Sequence, residues 1–186
     1  MIGYAMCGSF CTLDNSSAAL LKLKNSGYDI LPIMSENVYH TDTRFGSAKN
    51  LIENISGICS HDIIHTIADA EPLGPKIVLD ALIICPCTGN TLAKLANGIT
   101  DTPVCMAAKA HLRQDRPLLI ALASNDAMSA NLANIAKLSL RKNIFFVPMK
   151  QDDPVKKPHS LVADFSMLET ALEAAMQGKQ LRKLFL

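Results

Sequence analysis

Apolar residues fall along this chain in short uninterrupted runs, separated by longer stretches in which they recur every three or four positions. The runs predict buried strands at Met1–Cys7, Tyr28–Met34, Ala81–Cys85, Pro117–Ala123 and Ile144–Val147. Between them, Ala18, Leu20, Leu21 and Leu23 give a helix over Asn15–Asn25 stopped by Gly27. Ala48, Leu51, Ile52 and Ile55 give another over Ser47–Ile55, closed by Gly57. Further helices are expected from Leu92 to about Gly98, over Thr102–Leu112, Ala127–Arg141 and Val162–Gln177, the last capped by Gly178. Residues His61–Ala70 place Ile63, Ile64, Ile67 and Ala68 at helical spacing between polar ends, and Glu71-Pro72-Leu73-Gly74-Pro75 breaks regular structure. Lys150–Ser160, with Pro154 and Pro158, reads as a loop.

Strands that are continuously apolar and alternate with helices are strands buried on both faces. The pattern therefore predicts an α/β fold with a mainly parallel sheet, in one domain over residues 1–186. Composition agrees: 186 residues, 49 % hydrophobic and 19 % charged, describe a chain able to bury a core without disulfides or metals. A net charge of +1 gives no field favouring nucleic acid, and no apolar run approaches the roughly 18 residues of a membrane span. Several of the six cysteines lie inside apolar runs, and Met1 leads into a strand without a positive flank. Reduced thiols in the cytoplasm, with no signal peptide, are the expectation.

Three apolar strands end in polar turns, and in open α/β sheets ligands bind at the carboxyl ends of the strands. Gly8-Ser9-Phe10-Cys11-Thr12 combines a glycine, two hydroxyls and a following helix, which serves either a phosphate or an ordinary strand-to-helix turn. Cys87-Thr88-Gly89-Asn90-Thr91 and Ala123-Ser124-Asn125-Asp126 are the other two, each also explicable as a helix cap. Cys85 and Cys87 have no second pair at zinc spacing, so a structural metal is not expected. Cys87 is either a small buried side chain or, at a helix amino terminus, a reactive thiolate. His61 and His65 stand four apart, as a metal pair or as solvated side chains, and an imidazole at His65 is also a candidate general acid or base.

The segment PCTGNTLAKLANGITD resembles the Pro-x-x-x-Asn-Thr-x-x-Lys-x-x-x-Gly-x-x-Asp pattern of the homo-oligomeric flavin-containing cysteine decarboxylases, matching at Pro86, Asn90, Thr91, Lys94, Gly98 and Asp101. GSFCT resembles that family's phosphate turn. ALASNDAM resembles its Ala-Pro-Ala-Met-Asn-x-x-Met segment, with Asn125 and Met128 on the Asn and second Met. AEPLGPK, MAAKAHLR and VPMKQDDPVKKPHSLVADF extend the likeness over essentially the whole chain, toward one branch of the family.

The resemblance implies a three-layer flavodoxin-like or Rossmann-like fold, FMN as cofactor and a homo-oligomer. It also implies a second, partner chain with a nicotinamide-type Rossmann domain and NADP. The implied reaction is a two-electron oxidation, in bacterial sporulation, of a dihydro precursor to an aromatic pyridine dicarboxylate. Carried over, Gly8, Ser9 and Phe10 meet the FMN phosphate and Ser35 lies near the cofactor. Thr88, Asn90 and Thr91 follow the ribityl chain and ring edge, and Ser124 and Asn125 border the same crevice.

His65 matches the family's active-site histidine if Glu71–Ile77 is an insertion. A dicarboxylate calls for cations, and Lys94, Lys109 and Arg113 are the candidates, Lys109 and Arg113 being four apart on one helix face that is otherwise a solvated one. The chain departs from the family at Cys87-Thr88-Gly89, Leu122 and Ser124, which points away from decarboxylation of a cysteine peptide. Two readings follow: an FMN-dependent oxidoreductase subunit, or a non-catalytic binding or assembly subunit supporting its partner.

Overall fold

Every residue from 1 to 186 is described in the computed structural model, and the apolar runs become one seven-stranded sheet. In chain order the elements are β1 Ile2–Met6, α1 Leu13–Asn25, β2 Ile30–Met34, α2 Glu36–His40, α3 Ala48–Ile58, α4 Ile67–Ala70, β3 Ala81–Cys87, α5 Gly89–Asn97 and α6 Pro103–Leu112. They continue with β4 Leu118–Ser124, α7 Leu132–Ser139, β5 Ile144–Phe146, β6 Met149–Lys150, β7 Leu161–Ala163 and α8 Leu168–Met176. The five predicted strands pair in parallel in the order β2-β1-β3-β4-β5, the flavodoxin-like order, which reverses direction between β1 and β3.

Strand periodicity divides the core in two. Tyr4, Met6, Ile83, Cys85 and Leu119 point to one face, against Leu20 and Leu23 of α1 and Leu168 and Leu172 of α8. Ala5, Ile33, Ile84, Cys87 and Ile120 point to the other, against Leu92 of α5, Val104 and Ala108 of α6 and Leu138 of α7. Successive side chains of a strand face opposite ways, so continuous apolar runs are what two covered faces require.

Pro86 lies inside β3, where its missing N–H breaks a ladder, and the β3–β4 register shifts between Ile84 and Cys87. The loosened backbone finds other partners. The Cys85 carbonyl accepts the Ser16 hydroxyl at 2.6 Å, the Pro86 carbonyl accepts the Cys7 N–H at 3.1 Å, and the buried Tyr4 hydroxyl donates to the Ser16 carbonyl at 2.9 Å. One polar link thus ties α1 to the two central strands.

The pattern errs where tertiary contacts win. Val162 and Ala163, which the pattern assigns to the start of a helix over Val162–Gln177, belong instead to a strand, Leu161–Ala163, antiparallel to β4 and β6, and the helix begins only at Leu168. Met149–Lys150 begins a strand where the pattern leads into a loop, and α2 has no counterpart in the prediction. The helix expected over Ala127–Arg141 starts five residues late, at Leu132.

Ile64 bridges in parallel to Ile33, so Ile63–His65 lies along the outer edge of β2 rather than in a helix. At the β5 edge, the Gln180 side chain accepts the Phe146 N–H at 2.8 Å and donates to the Phe146 carbonyl at 2.7 Å. At the β6 edge, Met149 exchanges backbone bonds with Leu184 and Leu186. No helix is long and apolar enough to cross a membrane.

Candidate functional site

The direction of the sheet reverses between β1 and β3, so the connections leaving their carboxyl ends part to opposite faces and open a crevice. After β1 the chain turns through Gly8 and Ser9 into a 3-10 turn, Phe10–Thr12. The N–H groups of Phe10 and Cys11 donate to no protein acceptor, while Thr12 closes the turn onto the Ser9 carbonyl through both its N–H and its hydroxyl. A Cβ on Gly8 would stand 3.3 Å from the Phe10 ring, closer than ordinary contact, so glycine lets that ring lie over the turn.

After β3, Thr88 caps α5, its hydroxyl accepting the Thr91 N–H at 3.2 Å. Gly89 and Asn90 have no preceding helical carbonyl to reach, and their N–H groups are also unpartnered in the protein. The Thr91 hydroxyl is buried and donates to Cys7 Sγ at 3.3 Å, pinning the two turns together. Two adjacent turns therefore present free N–H groups to one crevice, an arrangement that holds a phosphate or another anion.

A third turn closes the site. The Asp126 carboxylate accepts the Ser124 hydroxyl on one oxygen and the Asn131 amide on the other, the latter at 2.9 Å, and Asn131 is itself buried. The Ser124 hydroxyl, with Asn131 beside it, holds that carboxyl below its usual range. A Cβ on Gly89 would come within 2.4 Å of Ser124 Oγ, 2.6 Å of Asn131 Nδ2 and 2.7 Å of Asp126 Oδ1. No side chain fits there, so the glycine allows α5 to start against this network. The same network delays α7, because Asn131 and Ser129 bond back to the Asp126 carbonyl.

Gly8, Ser9, Phe10, Ser35, Thr88, Asn90, Thr91, Ser124 and Asn125 thus all lie at the carboxyl ends of four neighbouring strands. They differ in availability. Asn90 and Asn125 are exposed, whereas Thr91 is buried and the Ser35 hydroxyl caps α2 by accepting the Val38 N–H. Asn131 escapes the sequence reading, since its only signal is a five-residue spacing from Asp126.

Two expectations are corrected. Cys87 is not in the turn but is the last residue of β3, fully buried; burial, then the neighbouring thiols, push its pKa well above the ordinary value, the opposite of a reactive thiolate. Cys7 is pushed up to about 12 in the same way. His65 lies beyond β2, so about 14 Å, three inter-strand spacings, separates its chain from that of Cys87. There its ring stacks on Tyr39, centroids 3.8 Å apart, with Nδ1 at 3.2 Å from the Ile63 carbonyl. His61 instead bonds Asp29 at 2.8 Å, so the two histidines do not converge.

Lys109 and Arg113 are the second correction. The helix α6 runs back against the strands, and Arg113 precedes Leu118, the first residue of β4, by a short loop at the amino end of the sheet. Both cations therefore sit at the pole opposite the crevice. Lys94, nearer to it, is held by Asp101 at 2.8 Å.

Comparison with known proteins gives consistent results. The chain is 42 % identical over 181 residues, 97 % of its length and 90 % of the relative's, to the B subunit of dipicolinate synthase from Bacillus subtilis (strain 168). The crystal structure of the dipicolinate synthase B subunit from Bacillus halodurans C superposes with a TM-score of 0.92 at 39 % identity, covering 100 % of this chain and 95 % of that one. The FMN-dependent cysteine decarboxylase SpaF superposes at 0.64 with 25 % identity, over 94 % and 95 %. The Flavoprotein family model matches residues 2–172, so with this sheet order and this crevice the chain belongs to the Flavoprotein family.

Proposed function

We propose that the crevice between the β1 and β3 turns binds FMN and that the chain is the B subunit of a two-subunit dipicolinate synthase. In that role it takes part in the two-electron oxidation of a dihydrodipicolinate precursor to dipicolinate during sporulation. The observation that carries this reading is the pair of turns with free N–H groups at the β1/β3 switch point, in a chain similar over 97 % of its length to a dipicolinate synthase B subunit. FMN, when bound, supplies a two-electron acceptor.

The chain's own residues bind and orient. The Phe10 and Cys11 N–H groups, with the Ser9 hydroxyl, hold the phosphate. Gly89 and Asn90 donate along the ribityl chain and ring edge, and Ser124 and Asn125 bound the far wall. Aromatising a dihydro ring also releases a proton. With Nδ1 donating to the Ile63 carbonyl, His65 keeps Nε2 as the nitrogen able to take it.

The A subunit of dipicolinate synthase, with NADP on its Rossmann domain, is the proposed partner, and a small dicarboxylate the substrate. Residues 1–186 act as one domain, both cores resting on the same sheet. Six free cysteines, five of them buried, support a reducing cytoplasm. Exposed Met128, Leu132, Phe185 and Leu186, gathered on one surface, support a homo-oligomer. The inert Cys87 favours a second reading, in which this chain holds ligand and the partner performs the chemistry.

Purified protein with FMN should show flavin absorbance that Asn90→Ala diminishes. Both subunits reconstituted with the precursor should raise pyridine absorbance in an FMN-dependent way. No change in flavin fluorescence or melting temperature on adding FMN, with or without the partner, would sink the first reading. Turnover that needs NADP and both chains, but not FMN, would establish the second.

A further inference from the structure

The amino end of the sheet carries a cavity that the crevice does not explain. Lys109 and Arg113 of α6 line it together with Arg141, from the α7–β5 connection. Its volume is about 340 Å³, at the small end of the range for small-molecule sites. Leu95, Ile99 and Leu112 supply apolar wall, and no carboxylate lines it.

None of the three cations pairs with an acid. The nearby carboxylates are engaged elsewhere, Asp101 with Lys94 and Asp115 with Lys142 and Asn143. Arg141 is anchored instead by donating one guanidinium N–H to the Leu95 carbonyl at 3.3 Å. Ile99 stays 46 % exposed in their midst. Unpaired charges of one sign from two elements, α6 and the α7–β5 connection, beside an apolar wall complement an anion with an apolar body and two separated charges. Guanidinium groups hold carboxylates bidentately.

We propose that this cavity binds a small, flat dicarboxylate, as a second site at the opposite pole from the crevice. The test is calorimetry on the full chain in metal-free, low-salt buffer, titrating pyridine-2,6-dicarboxylate, benzoate and inorganic phosphate in separate runs with and without saturating FMN. Saturable binding of the dicarboxylate at one per chain is expected. It should be tighter than either other anion and unaffected by FMN.

Arg113→Gln, an exposed change, and Arg141→Gln should each weaken it at least about tenfold, the strength of one charge-assisted pair. Asn90→Ala, in the crevice, should leave it unchanged, with melting curves confirming that all variants are folded. The proposal fails if no saturable binding occurs or if Arg113→Gln leaves it intact. It fails equally if phosphate binds as tightly or if Asn90→Ala weakens binding to the same degree, which would place the ligand in the crevice. Loss of binding to the partner chain in Arg113→Gln, without any small-anion binding, would make the cavity a protein-docking surface and overturn it too. None of these outcomes depends on whether FMN binds.

Discussion

The carboxyl end of the sheet offers an anion neutral donors: backbone N–H groups of Phe10, Cys11, Gly89 and Asn90, fixed by the turns that carry them. The amino end offers full charges on long side chains, Lys109, Arg113 and Arg141, all exposed. The first arrangement is ordered before any ligand arrives, whereas the second must immobilise flexible stems when one does, and its charges are screened by salt. Preorganisation and charge thus occupy opposite poles, which makes the two ends separable by experiment.

The sharpest break in that comparison is Gly89→Ala. A methyl group 2.4 Å from Ser124 Oγ must push α5 or the Asp126 network aside. The expected cost is about 1–3 kcal/mol, read as a lower urea midpoint, together with loss of FMN binding. Arg113→Gln should leave both untouched.

His111 tests the amino end. It is buried and its Nε2 donates to the Pro117 carbonyl at 2.9 Å; burial, assisted by Arg116, lowers its pKa below the usual imidazole value. The unfolded chain therefore binds more protons. The resulting stability is present above about pH 6.5 and is lost as pH falls through the native value. Wild-type urea midpoints should decline over that window. His111→Gln should flatten the decline while costing about 1–3 kcal/mol at pH 8.

Asn90→Ala, which keeps the backbone N–H and removes the exposed side-chain amide, should weaken FMN by about tenfold, one hydrogen bond, in a fluorescence titration, without moving the melting temperature. Raising salt from about 50 to 500 mM should weaken the dicarboxylate site several-fold more than FMN, since exposed charges are screened at those Debye lengths. The smallest effect is expected at Cys11. It is the exposed thiol and should be alkylated first in native protein, and Cys11→Ser should change stability by less than about 0.5 kcal/mol. Rapid labelling at Cys87 would contradict its burial.

The sequence reading succeeds where one principle acts alone. The five parallel strands are apolar runs because both faces are covered, and the three polar turns follow from that topology. It fails where partners distant in sequence decide. Leu161–Ala163 is as consistent with a helix start as with a strand until the end of β4 is beside it.

Reading Pro86 as the end of a strand puts Cys87 in a turn, yet Ser16 takes up the Cys85 carbonyl and the strand continues. Lys109 and Arg113 share a helix face, as their spacing predicts, but spacing says nothing about which end of the sheet that face approaches. The Asp126–Asn131 network is invisible for the same reason: its third member is the empty space at Gly89.

The Gln180 amide that occupies both backbone groups of Phe146 has a consequence for how copies of this chain can meet. A side-chain amide has the donor and acceptor of a peptide group but cannot be extended, so it ends the ladder as a stopper. The β2 edge ends against Ile63–His65 and the β6 edge against Leu184–Leu186. With its margins closed, the sheet offers no template for cross-β growth. Assembly is left to faces, where shape and side-chain chemistry can discriminate one partner from another.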